Sequence, residues 1–339
     1  MRLLFAALTA LVAVSSVAAA EPPATAADPV ALTRGSLDPT TYDFAQARFA
    51  PGKTVLFLAQ KGQAEALVAK AHAQPTLAAL KAAHVCLNPA EAMTLAGYES
   101  ALLAKDAAEW SAQKAAADAA FAAYEYARDA VLAGEPAPSP DFEAQAAAMK
   151  SVAFGATPEG RELLLRKVRG QLWRQALVFT APKAYAPGVG LVGAVWLDAR
   201  LRLDGCAVDA DNQAWLRALL DKIVWFDAKT YGPELDKTAW LIAYQADNDR
   251  ALQTLVLDRT GPLVLQRGSD PRNFAELWDK VALGSGRPQR YGTQMRCVGK
   301  VWAPIQPLEE PVKLNERRGW VGLGPIADYA RAGAKACGG

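Results

Sequence analysis

The stretch that most limits the fold of this chain is Ala90 to Ala133, rich in alanine, free of proline and broken by Gly97 alone. Tyr98, Leu102 and Trp110 recur there at helical spacing, as do Phe121, Tyr124 and Val131, with Lys105, Glu109, Lys114 and Asp118 interleaved. An apolar stripe of that period needs a facing partner, so the stretch predicts one long helix or a close pair packed into a core. Read as a binding stripe, Tyr98, Trp110 and Tyr124 would face a ligand; a core-facing seam explains the same spacing more simply.

Before that region, Arg2, the apolar run Leu3 to Val14 and the small residues Ala18-Ala19-Ala20 have the order of a cleavable export signal cut after Ala20. Residues 21–40, rich in Pro, Ala and Thr, read as a flexible leader. Export predicts a periplasmic or secreted protein. The longest later apolar stretch, Val189 to Leu197, is too short to span a bilayer, so no membrane span is expected after processing. The net charge of +2 includes Arg2 and gives no electrostatic reason to expect nucleic acid as a partner. Four cysteines in an oxidising compartment predict two disulfides, read here as Cys297 with Cys337 and Cys86 with Cys206. Their spacing lacks a Cys-x-x-Cys pair, and nothing in the sequence calls for a cofactor or metal.

The segment Gly134-Glu135-Pro136-Ala137-Pro138-Ser139-Pro140 is the clearest linker. It divides a helical region, 41–133, from a larger one, 141–339. In the latter, helices are predicted for Asp141–Lys150, Pro158–Val178, Leu235–Gln245, Arg250–Leu257, Phe274–Leu283 and Pro325–Ala334. A short strand is expected over Trp196–Leu203, followed by a helix that Asp209 would cap and that would run to about Ile223. Tyr291–Cys297 and Val301–Gln306 flank a hairpin turn at Val298-Gly299-Lys300. The fold class is therefore mostly α, with one small β-hairpin near the carboxyl terminus and an alanine-rich helical region ahead of it.

Gly188-Val189-Gly190-Leu191-Val192-Gly193 matches the dinucleotide pattern literally, but no strand precedes it and Ala186-Pro187 leads in. Pro51-Gly52-Lys53-Thr54 lacks the upstream glycine of a phosphate loop. The two histidines, His72 and His84, have the wrong spacing for a helical zinc pair, and Asp204, Asp209 and Asp211 lack a calcium loop's glycine and distal glutamate. The densest polar clusters are Trp240 to Asp247 and Gly286 to Gln294. On a helix Trp240, Tyr244 and Asp247 align at i, i+4 and i+7. A carboxylate there is either desolvated or paired with a base such as Arg169, Arg174, Arg317 or Arg318. Gln171, beside the apolar stripe of its helix, needs a polar partner.

Taken in order and spacing, several pieces of the chain from about Gly160 to Ala334 resemble a bacterial family catalogued as domain of unknown function 6624. They are Gln171 with Arg174, Asp209 to Asn212, Ala239-Trp240-Leu241-Ile242 with Gln245-Ala246-Asp247, Pro288-Gln289 with Tyr291-Gly292-Thr293-Gln294, Pro307 to Pro311, Arg317-Arg318 and Gly322-Leu323. The family shows His-Ala-Asp where this chain has Gln245-Ala246-Asp247, and Asp-Gln where it has Gly170-Gln171. A carboxamide cannot carry a proton near neutral pH as an imidazole can, which shifts the expectation from catalysis toward binding. The expected site comprises Gln171, Arg174, Gln245, Tyr291, Gln294, Arg317 and Arg318 as ligand-binding groups, with Asp247 as its general base if there is hydrolysis. With several guanidinium groups, its ligand would be small and anionic. The competing reading is a structural or interaction module whose polar residues form a buried network.

Overall fold

Asp106 starts the longest amino-terminal helix by accepting the Glu109 N–H, while Glu109 turns back to take the Lys105 N–H, a reciprocal pair that satisfies two orphan donors. The computed structural model describes residues 38–73, 88–152, 157–247 and 249–337. Its helices are α1 (Phe44–Phe49), α2 (Thr54–Ala73), α3 (Pro89–Leu103), α4 (Ala107–Leu132), α5 (Glu143–Val152), α6 (Pro158–Ala176), α7 (Leu191–Leu220), α8 (Pro233–Tyr244), α9 (Arg250–Leu265) and α10 (Pro271–Gly284). The hairpin β1 (Met295–Val298) and β2 (Val301–Pro304) follows, then α11 (Leu314–Trp320) and α12 (Ile326–Gly333). The fold is 68% helical, as the sequence pattern predicts.

The alanine-rich stretch is a close pair, α3 and α4. Trp110, Ala117, Ala120, Phe121, Tyr124, Ala127 and Val131 form the buried face of α4. Small residues let the helices approach: a Cβ on Gly97 of α3 would stand 2.2 Å from the Phe44 ring.

Helix α7 corrects the sequence reading. The expected strand Trp196–Leu203 and the cap at Asp209 do not exist; both lie inside one helix of 30 residues, about 45 Å long. The physical reason is burial on several sides. Helices α3, α4, α6 and α8 all pack on α7, so Val192, Trp196, Leu197 and Leu201 are buried around more than one face. Their helical period therefore reads as a continuous apolar run. Asp209, freed of any capping duty, faces α6 instead.

Two apolar cores share α6 and α7. The first joins Phe44, Tyr98, Trp110 and Tyr124 to Leu172, Trp173, Trp196 and Leu201, taking residues from both sides of the 134–140 segment. The second joins Leu163, Leu216, Leu220, Trp225, Ile242, Val256 and Leu277. The middle of α7, from Arg202 to Gln213, bridges the two.

The hairpin is antiparallel, with Met295 opposite Pro304 and Val298 opposite Val301. Its turn places Gly299 at φ 59°, the left-handed region that glycine enters without strain. Cys297 is bonded to Cys337 across a sequence separation of 40. Cys206 is disulfide-bonded as well; its expected partner Cys86, the export signal and His84 lie outside the described residues.

Candidate functional site

The expected site residues fall into two groups. The first is a polar network that holds the loop 288–294 against α10, and its centre is Asp279, a residue the sequence reading passed over. Asp279 is fully buried. Its Oδ1 accepts the N–H groups of Arg290 at 2.7 Å and Tyr291 at 3.0 Å; its Oδ2 accepts the Thr293 N–H at 2.8 Å and hydroxyl at 2.9 Å. Burial pushes its carboxyl above the ordinary aspartate range, and those donors work against that push. Gln289, also fully buried, donates to the carbonyls of Gln294 and Ile305 and accepts the Gln294 N–H.

Tyr291, Gln294, Arg317 and Arg318 belong to this network. Arg317 donates to the carbonyls of Arg290, Glu309 and Glu310. Arg318 donates to those of Gly324 at 2.7 Å and Tyr291 at 2.8 Å. Both guanidinium groups are buried, and they bond peptide oxygens, which fixes the loop and α11 in place. The Gln294 amide donates to the Glu276 carbonyl and lies 3.3 Å from the Tyr244 hydroxyl.

The second group lines a cleft of about 830 Å³ at the junction of the two cores. Along α7 its wall runs from Val195 and Asp198 through Ala199, Leu203, Cys206, Asp209 and Ala210 to Gln213. Facing it are Leu95 and Glu99 of α3, Trp173 and Arg174 of α6, and the end of α8 with Trp240, Tyr244 and Gln245. Asp247 and Lys280 close one rim. Arg174, Gln245 and Asp247 are thus brought together. Gln171 is not among the lining residues; its Nε2 is buried without a partner.

The electrostatics differ from expectation in two places. Arg174 does not point a free guanidinium at a ligand. It grips Asp209 through two hydrogen bonds, 3.0 and 2.6 Å, donates to the Gly170 carbonyl and lies 4.3 Å from the Trp173 ring centroid. Burial nevertheless raises the Asp209 carboxyl above its ordinary value, outweighing Arg174. Asp247, in turn, pairs with none of the four arginines considered. Helix α8 stops at Tyr244, so Asp247 sits in the turn beyond it, 70% exposed, with Lys280 at 2.6 Å. Lys280 also donates to the Tyr244 carbonyl and lies 4.1 Å from its ring centroid. Asp249 caps α9 by accepting the Leu252 N–H.

Two cleft groups stand out by what they lack. Asp198, 3% exposed, accepts the Val178 N–H at 3.0 Å through Oδ1, the Phe179 N–H also acts on its carboxylate, and its Oδ2 is buried without a hydrogen bond of its own. Gln213, 4% exposed, has no donor to its Oε1. The indole N–H of Trp240 is also buried and unpaired. By contrast the buried Asp236, Asp249 and Asp279 have both oxygens engaged, and the buried Asn212, Gln253 and Gln289 have theirs. One sequence signal existed for Asp198: it is a carboxylate inside the apolar run of α7, one residue after Leu197 and three before Leu201.

Among the described residues no cluster of His, Cys, Asp and Glu can hold a metal ion, and no helix is long and apolar enough to cross a membrane. Residues 188–338 match the model of a family of unknown function (DUF6624), the family the motifs resemble. The match covers α7 and everything after it; Gln171, Arg174 and the α3 wall of the cleft precede it. No curated protein and no solved structure matches the chain.

Proposed function

We propose that this is an exported binding protein whose cleft between α3, α6, α7 and α8 takes a small molecule with an apolar body and a polar end. One observation carries the reading: unsatisfied buried oxygens at Asp198 and Gln213 both line the cleft. A buried polar atom without a partner costs about 1–3 kcal/mol, and a ligand that donates to these two oxygens recovers that cost. Aromatic walls with a few placed polar groups are the usual make-up of a ligand site of this size. An anionic ligand has less support, because Arg174 is neutralised by Asp209 and both Arg317 and Arg318 serve peptide carbonyls. Hydrolysis through Asp247 has less support too, since that carboxylate is exposed and already paired with Lys280.

A structural role is the reading we propose for Tyr291, Gln294, Arg317 and Arg318, on the strength of the hydrogen bonds that tie them to peptide groups of the loop that Asp279 holds. The test of the binding reading is to fill the cleft. Ala210→Trp places an indole into it from α7. Native mass spectrometry of the mature protein should show a co-purified or added small molecule that Ala210→Trp no longer retains, with the fold preserved by circular dichroism. Equal retention by the filled variant would overturn the assignment. Export is tested by cell fractionation with and without residues 1–20.

A further inference from the structure

The polar end of the ligand can be assigned, and the assignment rests on the cleft being a binding site. Its four carboxylates are Glu99, Asp198, Asp209 and Asp247, and its three cations are Arg174, Arg202 and Lys280. Arg174 is spent on Asp209 and Lys280 on Asp247. The remaining lining cation, Arg202, is exposed and acts on Asp198. Lys183 acts on Asp198, and Lys61 on Glu99, from outside the cleft. Neither carboxylate makes an ion pair among the described residues, and the lining carboxylates outnumber the lining cations by one.

The shape adds a second constraint. The wall from Val195 to Gln213 follows α7 for about 27 Å, at 1.5 Å per residue. Its surface is built from small or aliphatic side chains, Val195, Ala199, Leu203 and Ala210, with Leu95 and Leu241 opposite. A straight chain can lie along such a wall more closely than a compact ring.

We propose that the cleft binds a linear aliphatic amine, its ammonium group held by Asp198 and its chain laid along α7 toward Trp240. The ammonium offsets the excess carboxylate and gives Oδ2 the donor it lacks. Oδ1 already accepts the Val178 N–H, so the ammonium is placed on Oδ2, which makes no hydrogen bond. A charge-assisted bond of this kind discriminates strongly against neutral and anionic chains of equal length.

The test compares octylamine, octanol and octanoate on the mature protein, read by calorimetry and by the fluorescence of Trp173 and Trp240. Octylamine should bind at least about tenfold tighter than octanol, with octanoate weakest. Asp198→Asn should bring octylamine to the affinity of octanol while octanol itself is unchanged. Glu99→Gln should weaken octylamine by a smaller factor. Octanol or octanoate binding as well as octylamine overturns the amine assignment and leaves the cleft reading standing. The three-ligand comparison on the unaltered protein decides this even if the Asp198 variant fails to fold. No saturable binding by any of the three, or binding that Ala210→Trp does not erase, takes down the cleft reading itself.

Discussion

Asp279 is the residue whose loss the structure weighs most clearly. Asp279→Ala removes the acceptor for the Tyr291 and Thr293 N–H groups, which are buried, and for the partly buried Arg290 N–H. Two fully buried orphaned donors cost about 1–3 kcal/mol each. The protein also recovers the cost of burying a carboxylate, since burial raises its pKa, so we place the net loss near the low end, about 3 kcal/mol. Asp279→Asn keeps the shape and one accepting oxygen but turns an NH₂ toward the remaining donors; about 2 kcal/mol is expected. Urea titration measures the total, and hydrogen exchange at residues 289–294 locates it. The pH dependence has a definite sign. With a folded-state pKa above the ordinary 3.8, the folded protein holds this proton more tightly than the unfolded chain. The stability due to this group is full below 3.8 and declines as pH rises through the raised value. Asp279→Asn removes that decline. If Asp279→Ala leaves both the urea midpoint and the exchange of the 290–293 amides unchanged, the network does not hold the loop.

Three further outcomes follow from single contacts. Gly205→Ala ought to stabilise a helix interior by about 1 kcal/mol, yet here the new Cβ would stand 2.1 Å from the Trp173 ring; we expect a net loss of about 2 kcal/mol from overpacking and a shifted Trp173 emission, and a gain in melting temperature would refute it. Paired Cys297→Ser and Cys337→Ser should cost up to about 4 kcal/mol by the loop-closure argument, seen as faster exchange across β1, β2 and α12, with the α3–α7 helices unaffected. Asp198→Asn should raise the melting temperature at neutral pH by removing a buried charge with an unpaired oxygen. Because burial raises the folded pKa of Asp198, the charge is costly only above that value, so the gain should shrink as pH falls toward 3.8; a destabilised variant at pH 7 contradicts this.

How far the sequence could be read is decided by the range of the contacts involved. Helix α10, with one buried face, shows its period and is legible to within a turn, as is the carboxyl end of α4; the break between α3 and α4 inside Ala90–Ala133 is not. Helix α7 was not, because packing on several sides erases the one-sided pattern that marks a surface helix. The same helix explains why the site was only half legible. Clusters in the sequence identify polar residues near apolar ones, but they do not reveal which carboxylate answers which base. Arg174 and Asp209 are 35 residues apart, and Asp247 and Lys280 are 33 apart. Arg317 lies close to Arg290 only through a peptide carbonyl.

A motif that keeps its order across a family therefore does not distinguish a residue that builds a loop from one that faces a ligand. Comparing the buried carboxylates does. Tyr291, Gln294, Arg317 and Arg318 sit in a network whose carboxylate, Asp279, has every oxygen answered, and such a network gains by staying closed. Asp198 and Gln213 lie on a helix that bridges both cores, each with an oxygen unanswered. A ligand in the cleft would supply both missing partners. The predicted opposite responses of Asp198→Asn, a more stable protein and a weaker hold on an amine, separate this account from one in which Asp198 is merely a badly paired core residue. The latter predicts the gain in stability alone.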